Sequence, residues 1–203
     1  MSGSADLSAA LVAAEQALRA HGLTGAAAFD ALLDGLEHQL GLAPAPPDSV
    51  AAVAATIPIH PGTDLFGLAY ERFFPDLFKG LRGQFFTPPP LARLLWSRLP
   101  PAATVADPTC GSGGLLVGAA ASGARAFGVE IDARLARLAA LNLRLAGVHA
   151  EVACGDVFTA DPVQVDVVIA NPPFSVPITD RGRLDRFELG RGRARVSSDH
   201  LFL

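Results

Sequence analysis

Asn171-Pro172-Pro173-Phe174 sets an amide, two rigid carbonyls and an aromatic ring directly after the apolar run Val165-Asp166-Val167-Val168-Ile169-Ala170. An amide oxygen and backbone carbonyls fixed by two prolines are hydrogen-bond acceptors, and the prolines add no competing N–H. The ring of Phe174 offers a face to a flat partner. Acceptors beside a stacking surface suit an exocyclic amine on a planar heterocycle, and do not suit a phosphate or a carboxylate. The same residues would also serve as an ordinary strand-to-loop turn, since Asn-Pro is a common turn signal. The Val- and Ile-rich run reads as a buried strand of a parallel sheet, which places the turn at the edge where open α/β sheets bind ligands.

Further candidates lie upstream. Asp107-Pro108-Thr109-Cys110-Gly111-Ser112-Gly113-Gly114 follows a strand-like stretch at 103–106 and precedes a helix-like one at 115–121. Its glycines let the backbone approach a ligand closely. The spacing is not that of a dinucleotide fingerprint and the lysine of a P-loop is absent, so a pyrophosphate is disfavoured. Glu130 ends a second strand at 124–129, nineteen positions after Gly111, where a carboxylate can grip two ribose hydroxyls. Together these point to an adenosine-type ligand. Asp132 reads as the N-cap of a helix carrying Leu135, Leu138, Leu141 and Leu145 and stopped by Gly147. Asp156 follows a third strand at 150–154. It is either an acceptor for an adenine amine, with Val157 or Phe158 against the ring, or a turn residue after Gly155. Gln84, Phe85, Phe86, Thr87, Pro88 and Pro89 form an aromatic loop that feeds the amphipathic helix from Leu91 to Trp96. A helix start with free N–H groups and a hydroxyl can hold a carboxylate; alternatively the loop plugs the core.

The elements that position these residues fit one ordinary α/β core with a helical appendage, in a chain of 203 residues. Residues 6–21 and 26–40 carry apolar stripes and end at Gly22 and Gly41, residues 43–48 read as a Pro-rich linker, and a further helix starts at Thr63 or Asp64 and runs to Pro75. The expected division is a helical extension and linker over 1–62 and a catalytic domain over 63–203. Net charge of -4 argues against a surface that coats nucleic acid, yet residues 175–203 hold six arginines against four acids. Those arginines, Arg181, Arg183, Arg186, Arg191, Arg193 and Arg195, either contact phosphates or belong to a solvated loop made mobile by Gly182, Gly190 and Gly192. Cys110 and Cys154 have no spacing of a metal cluster or disulfide framework and read as small buried side chains. A reducing cytoplasm fits, with no signal peptide and no membrane span.

The loop from Gly83 to Pro89, the turn from Asp107 to Gly114, the Gly128-to-Asp132 stretch and Asn171-Pro172-Pro173-Phe174 occur in an order that resembles the adenine-N6 DNA methyltransferases, in particular the modification subunits of type I restriction systems. The resemblance runs from about Asp64 to the last residue, and residues 64–71 look like the helix such proteins place before the aromatic loop. It implies a Rossmann-like class I S-adenosylmethionine-dependent methyltransferase sheet, of which this chain carries the first four strands and flanking helices behind an N-terminal helical region. It implies S-adenosylmethionine as cofactor, with Thr87 and the Pro-capped helix on the methionine carboxylate. Ser112, Gly113 and Gly114 would lie along the methionine half, Glu130 on the ribose and Asp156 on the adenine. A target adenine would be rotated out of double-stranded DNA, with Asn171 and the Pro172 carbonyl accepting its N6 hydrogens and Phe174 stacking on it. No metal is implied; specificity or restriction subunits are implied as partners. The family's sheet continues beyond the Asn-Pro-Pro-aromatic turn, so a truncated or split enzyme, weak or inactive alone, is expected. Two alternatives use a similar turn or explain the short sheet: a protein-glutamine or RNA base methyltransferase, and an inactive cofactor- or DNA-binding fragment that needs a partner chain.

Overall fold

The computed structural model describes residues 2–60, 62–75, 86–161 and 163–201. They fall into two compact units, Met1–His60 with Leu65–Asp76, and Pro61–Asp64 with Leu77–Leu203. In the first unit α1 (Ser2–Ala20), α2 (Gly25–Gln39), α3 (Asp48–Ala54) and α4 (Leu65–Phe73) pack through apolar stripes. Leu7, Leu11 and Leu18 of α1 are buried, as are Phe29, Leu32 and Leu36 of α2, at the spacing one helix face requires. Edge-on contacts of Phe29 with Tyr70, Phe73 and Phe74, at centroid separations of 5.6, 5.9 and 5.2 Å, tie α2 to α4.

This unit contains one helix absent from the sequence reading and another expected elsewhere. The stretch read as a linker leads straight into α3, because proline is tolerated where a helix starts and Asp48 complements the positive end of its dipole. Helix α4, expected to belong with the catalytic region, clusters with the helical unit.

The second unit is built on a four-stranded parallel sheet. Its strands are β1 (Thr104–Asp107), β2 (Arg125–Glu130), β3 (Ala150–Cys154) and β4 (Val167–Val168), in spatial order β3-β2-β1-β4. Val105 pairs with Ala126 on one side and Val167 on the other, so the chain winds outward in one direction through β3 and then returns to the far side of β1. The resulting switch point lies between β1 and β4, where the two connections part and leave a crevice above the strand ends. The core holds Val105, Leu116, Ala126, Ala139, Leu143 and Ile169. Helix α5 (Pro89–Trp96) adds Ala92 and the indole of Trp96, whose Nε1 donates to the Leu115 carbonyl at 2.6 Å.

Strand β4 is shorter and more open than the buried strand expected over 165–170. Only two residues join the ladder, Ile169 is buried, and Val168 is 62% exposed. With one neighbour instead of two, the strand has half the ladder bonds of a central strand. Asp166 compensates: its Oδ2 accepts from the backbone N–H groups of Ala103 and Thr104 and from Thr104 Oγ1, fixing the entry of β4 beside that of β1. The helix expected at 115–121 is a 3₁₀ turn, Leu116–Gly118, followed by α6 (Ala119–Ser122). Helix α7 (Ala133–Leu145) begins as expected, with Asp132 accepting from the N–H groups of Arg134 and Leu135.

After the Asn171 turn the chain forms a two-stranded antiparallel ribbon, β5 (Pro177–Ile178) and β6 (Val196–Ser197), with α8 (Arg181–Leu184) between them and α9 (Ser198–Leu201) beyond. Phe158, Ile178, Leu184, Val196 and Leu201 give this region a small core of its own. The segment expected to be a mobile loop therefore contains helical turns and a strand. Gly190 has a tight packing role there, since a Cβ on it would lie 2.2 Å from the Leu184 carbonyl oxygen.

Candidate active site at the carboxyl edge of the sheet

The carboxyl ends of the four strands open onto a cleft of about 530 Å³. Asp107 ends β1 and is 2% exposed; its Oδ1 accepts from Thr109 N–H at 2.9 Å. Burial pushes its carboxyl up from 3.8 to about 7, the charge of Glu130 pushes the same way, and the bonds from Thr109 oppose. The glycine turn then crosses the end of β2. Cys110 N–H donates to the Val129 carbonyl and Gly111 N–H to Glu130 Oε2, each at 2.9 Å. Gly111 and Gly113 have φ of +54° and +81°, a region L side chains rarely occupy, and a Cβ on Gly113 would press on Ala139 of α7 at 3.2 Å.

Glu130 is buried, and its second oxygen accepts from Asp132 N–H at 2.9 Å. One carboxylate thus joins the glycine turn to the start of α7, with its rotamer locked at the mouth of the cleft. Asp156, beyond β3, accepts from Phe158 N–H through Oδ1 at 3.0 Å. Its Oδ2 is buried without a hydrogen-bond partner; Arg183 Nη2 approaches to 2.6 Å, an ion pair whose angles are too poor for a bond.

The Asn171 turn is held from behind. Ser198 Oγ donates to the Pro173 carbonyl at 2.7 Å and Ser198 N–H to the Val176 carbonyl at 2.8 Å. Ser175, the residue after Phe174, sits at φ +60° with its N–H on Asp199 Oδ1 at 3.2 Å. Phe174 is 54% exposed, so its ring is available to an incoming partner.

Several of the sequence candidates come together around one volume. Phe86, Thr87, Asp107, Gly111, Ser112, Gly114, Glu130, Asp156, Val157, Asn171 and Pro173 all line the cleft. Pro88, Pro89, Gly113, Pro172 and Phe174 are not among its lining residues. Gln84 and Phe85 lie outside the described residues. The arginines divide. Arg183 faces the cleft on Asp156, Arg186 Nη2 donates to the Ala160 carbonyl at 2.9 Å, and Arg181 lies 3.5 Å from Asp185. Arg191, Arg193 and Arg195 are exposed. The cysteines also divide: Cys110 is buried, with its thiol pushed well above the usual range by desolvation, whereas Cys154 is exposed because it ends the edge strand β3. The expectation of two buried thiols holds for the first alone. Sequence reasoning passed over Asp64, Asn142 and Ser198, all of which hold site backbone or side chains; an acid just before a helix reads equally well as a cap. Among the described residues no His/Cys/Asp/Glu group is placed to hold a metal, and no helix is long and apolar enough to cross a membrane.

The N-6 DNA methylase family model matches residues 62–199, which include every cleft residue named above. The chain belongs to that family. The methylase subunit of the type I restriction enzyme MjaIX from Methanocaldococcus jannaschii is 31% identical over 141 residues, covering 62% of this chain and 25% of its own length. The EcoEI methylase subunit of Escherichia coli is 31% identical over 134 residues, covering 54% of this chain and 27% of its own. The chain spans about a quarter of the length of the curated relatives it matches. Among solved structures, a type I restriction-modification methyltransferase subunit from Streptococcus thermophilus superposes with a TM-score of 0.51 at 28% identity, over 68% of this chain and 34% of that one. A class I S-adenosylmethionine-dependent methyltransferase structure from Listeria monocytogenes covers 98% of this chain and 68% of its own, at a TM-score of 0.73 and 18% identity. The fold is therefore that of the class I methyltransferases.

Proposed function

We propose that this chain carries the part of an adenine-N6 DNA methyltransferase that binds S-adenosylmethionine and presents the target amine, within the modification component of a restriction-modification system. The observation that carries the proposal is the convergence of the glycine turn, Glu130, Asp156 and Asn171 on one cleft. Its volume lies within the roughly 300–1,000 Å³ of small-molecule sites.

The donors and acceptors present suit the cofactor. Glu130 keeps unused lone pairs on both oxygens after accepting one backbone N–H on each, and can still take ribose hydroxyls. Asp156 Oδ2 is buried and ion-paired with Arg183 but accepts no hydrogen bond, and an adenine amine taking the place of that guanidinium would supply one. Thr87 stands just before α5 and lines the cleft, where its hydroxyl can donate to a carboxylate; the helix start adds no free N–H, since Pro88, Pro89 and Pro90 have none and those of Leu91 and Ala92 are held by the Pro88 carbonyl. When bound, S-adenosylmethionine supplies a methyl group on a positively charged sulfur. The protein's task is then orientation. Asn171 and the Pro172 carbonyl would accept both N6 hydrogens of an extruded adenine, aiming the nitrogen lone pair across the cleft, while Phe174 stacks on the ring. Double-stranded DNA and the specificity or restriction subunits of such a system are the partners proposed.

Calorimetric titration of the full chain with S-adenosylhomocysteine tests the cofactor half. Binding by the wild type, weakened by about tenfold or more in Glu130→Ala through loss of charge-assisted bonds, is the expected result. Equal affinity of the two would overturn it. Transfer of labelled methyl to DNA, RNA and protein, with Asn171→Ala as control, tests the acceptor half; label appearing in RNA or protein and not in DNA would redirect the assignment.

A further inference from the structure

The glycine turn has little in its own sequence to keep one shape. Gly111, Gly113 and Gly114 carry no side chain to pack, and glycine backbones lose the most freedom on being ordered. Its middle residue, Ser112, is 1% exposed and is gripped from two directions. Ser112 Oγ donates to Asp64 Oδ2 at 2.6 Å. Asn142 Nδ2, on α7, donates to the Ser112 carbonyl at 2.8 Å and also to Asp64 Oδ1. The fit is close, for a Cβ on Gly114 would lie 2.5 Å from Asp64 Oδ2. Asp64 also lines the cleft.

Chemistry selects a carboxylate at this point. As the bonds run here, a hydroxyl and an amide N–H₂ both donate to residue 64, and an ionised Asp accepts on both oxygens, whereas Asn would present a donor to one of them and force the Ser112 hydroxyl to turn round. Glu130 already holds Gly111 N–H from the β2 side, so the turn is clamped at Gly111 and again at Ser112 by carboxylates far apart in sequence. We propose that Asp64 is a positioning residue for the cofactor turn: anchored by Asn142, it fixes Ser112 and holds the Gly111–Gly114 backbone in the shape that receives the methionine half of S-adenosylmethionine. The proposal rests on the cofactor reading above and adds a residue to it.

Two measurements on the full chain separate the layers. Amide hydrogen exchange without cofactor is expected to speed up at Ser112, Gly113 and Gly114 in Asp64→Ala and in Ser112→Ala, which deletes a single hydroxyl and tests the same bond if the first variant folds poorly. Titration with S-adenosylhomocysteine is expected to show an affinity loss of about tenfold in Asp64→Asn, as for other charge-assisted bonds. Ser112→Ala added to Asp64→Ala is expected to cost little more, because the two share one interaction. Affinities within twofold of wild type together with unchanged exchange would overturn the proposal. A wild-type chain that binds no cofactor would sink the cofactor reading, while the exchange data still judged whether Asp64 braces the turn.

Discussion

Asp107 is a buried carboxyl at the end of β1, and its burial makes stability depend on pH. Its pKa is about 7 in the folded chain and near 3.8 when exposed, so folding favours the protonated form. Below about pH 4 both states are protonated and Asp107 has no cost. As pH rises through 7 the unfolded chain has already released the proton, and the folded chain must either keep it or bury a charge, so stability is lost. Full ionisation costs on the order of 4 kcal/mol. Asp107→Asn retains an acceptor for Thr109 N–H and removes the charge. It is expected to raise the unfolding midpoint at pH 8, to change it little at pH 4, and to flatten the slope between them. Thermal unfolding at several pH values checks this; a midpoint at pH 8 no higher than wild type would refute the burial argument. The sequence marked Asp107 and Glu130 as candidates from their places after strand-like runs. That Glu130 would bridge the Gly111 and Asp132 amides was not legible, because it depends on which strand ends lie side by side. The two cysteines looked alike for the same reason.

At the scale of elements, legibility followed how locally each element is determined. Strands β1 to β3, the Asp132-capped helix and the apolar stripes of α1 and α2 carry their signals in a few adjacent residues, and they appeared where expected. Strand β4 and the stretch after the glycine turn did not, since neighbours distant in sequence decide them. Gly118 illustrates the contest. By propensity alone Gly118→Ala would favour helix by about 1 kcal/mol. In the fold its missing Cβ leaves room for the indole of Trp96: a Cβ there would stand 2.2 Å from Nε1. Overpacking of that kind costs about 1–3 kcal/mol, and the hydrogen bond from Trp96 to the Leu115 carbonyl would be lost with it, so packing wins. Gly118→Ala is expected to lower the unfolding midpoint by several degrees, at about 2–4 °C per kcal/mol for a chain of this size. The chain has one tryptophan, so its fluorescence reports this contact directly and should shift in the variant. A stable variant with unchanged emission would show that the indole gives way cheaply.

Across the whole chain, an acidic majority meets a basic final stretch, and the charges meet at the cleft. Asp107, Glu130 and Asp156 stand at three strand ends, and Arg183 reaches Asp156 Oδ2 from α8. Composition showed that the last 29 residues were basic. It could not show that one arginine would turn inward, because that follows from the Asp180 cap of α8 and the burial of Leu184 beside Phe158. An adenine amine bound at Asp156 must displace that guanidinium. The side chains are 37% and 15% exposed, so the pair is partly screened and its net worth is small. Removing the competitor is expected to tighten cofactor binding modestly. Arg183→Gln should bind S-adenosylhomocysteine a few times more strongly than wild type at low salt, the difference shrinking as salt weakens the wild-type pair. Stability should move the other way, since the variant leaves the Asp156 carboxylate without its partner. Titrations of both chains at about 20 mM and about 500 mM salt, roughly a fivefold change in Debye length, check the direction. Weaker binding by Arg183→Gln at low salt would mean that the guanidinium holds the ligand and does not compete with it, and Arg183 would then join Glu130 and Asp156 as a binding residue.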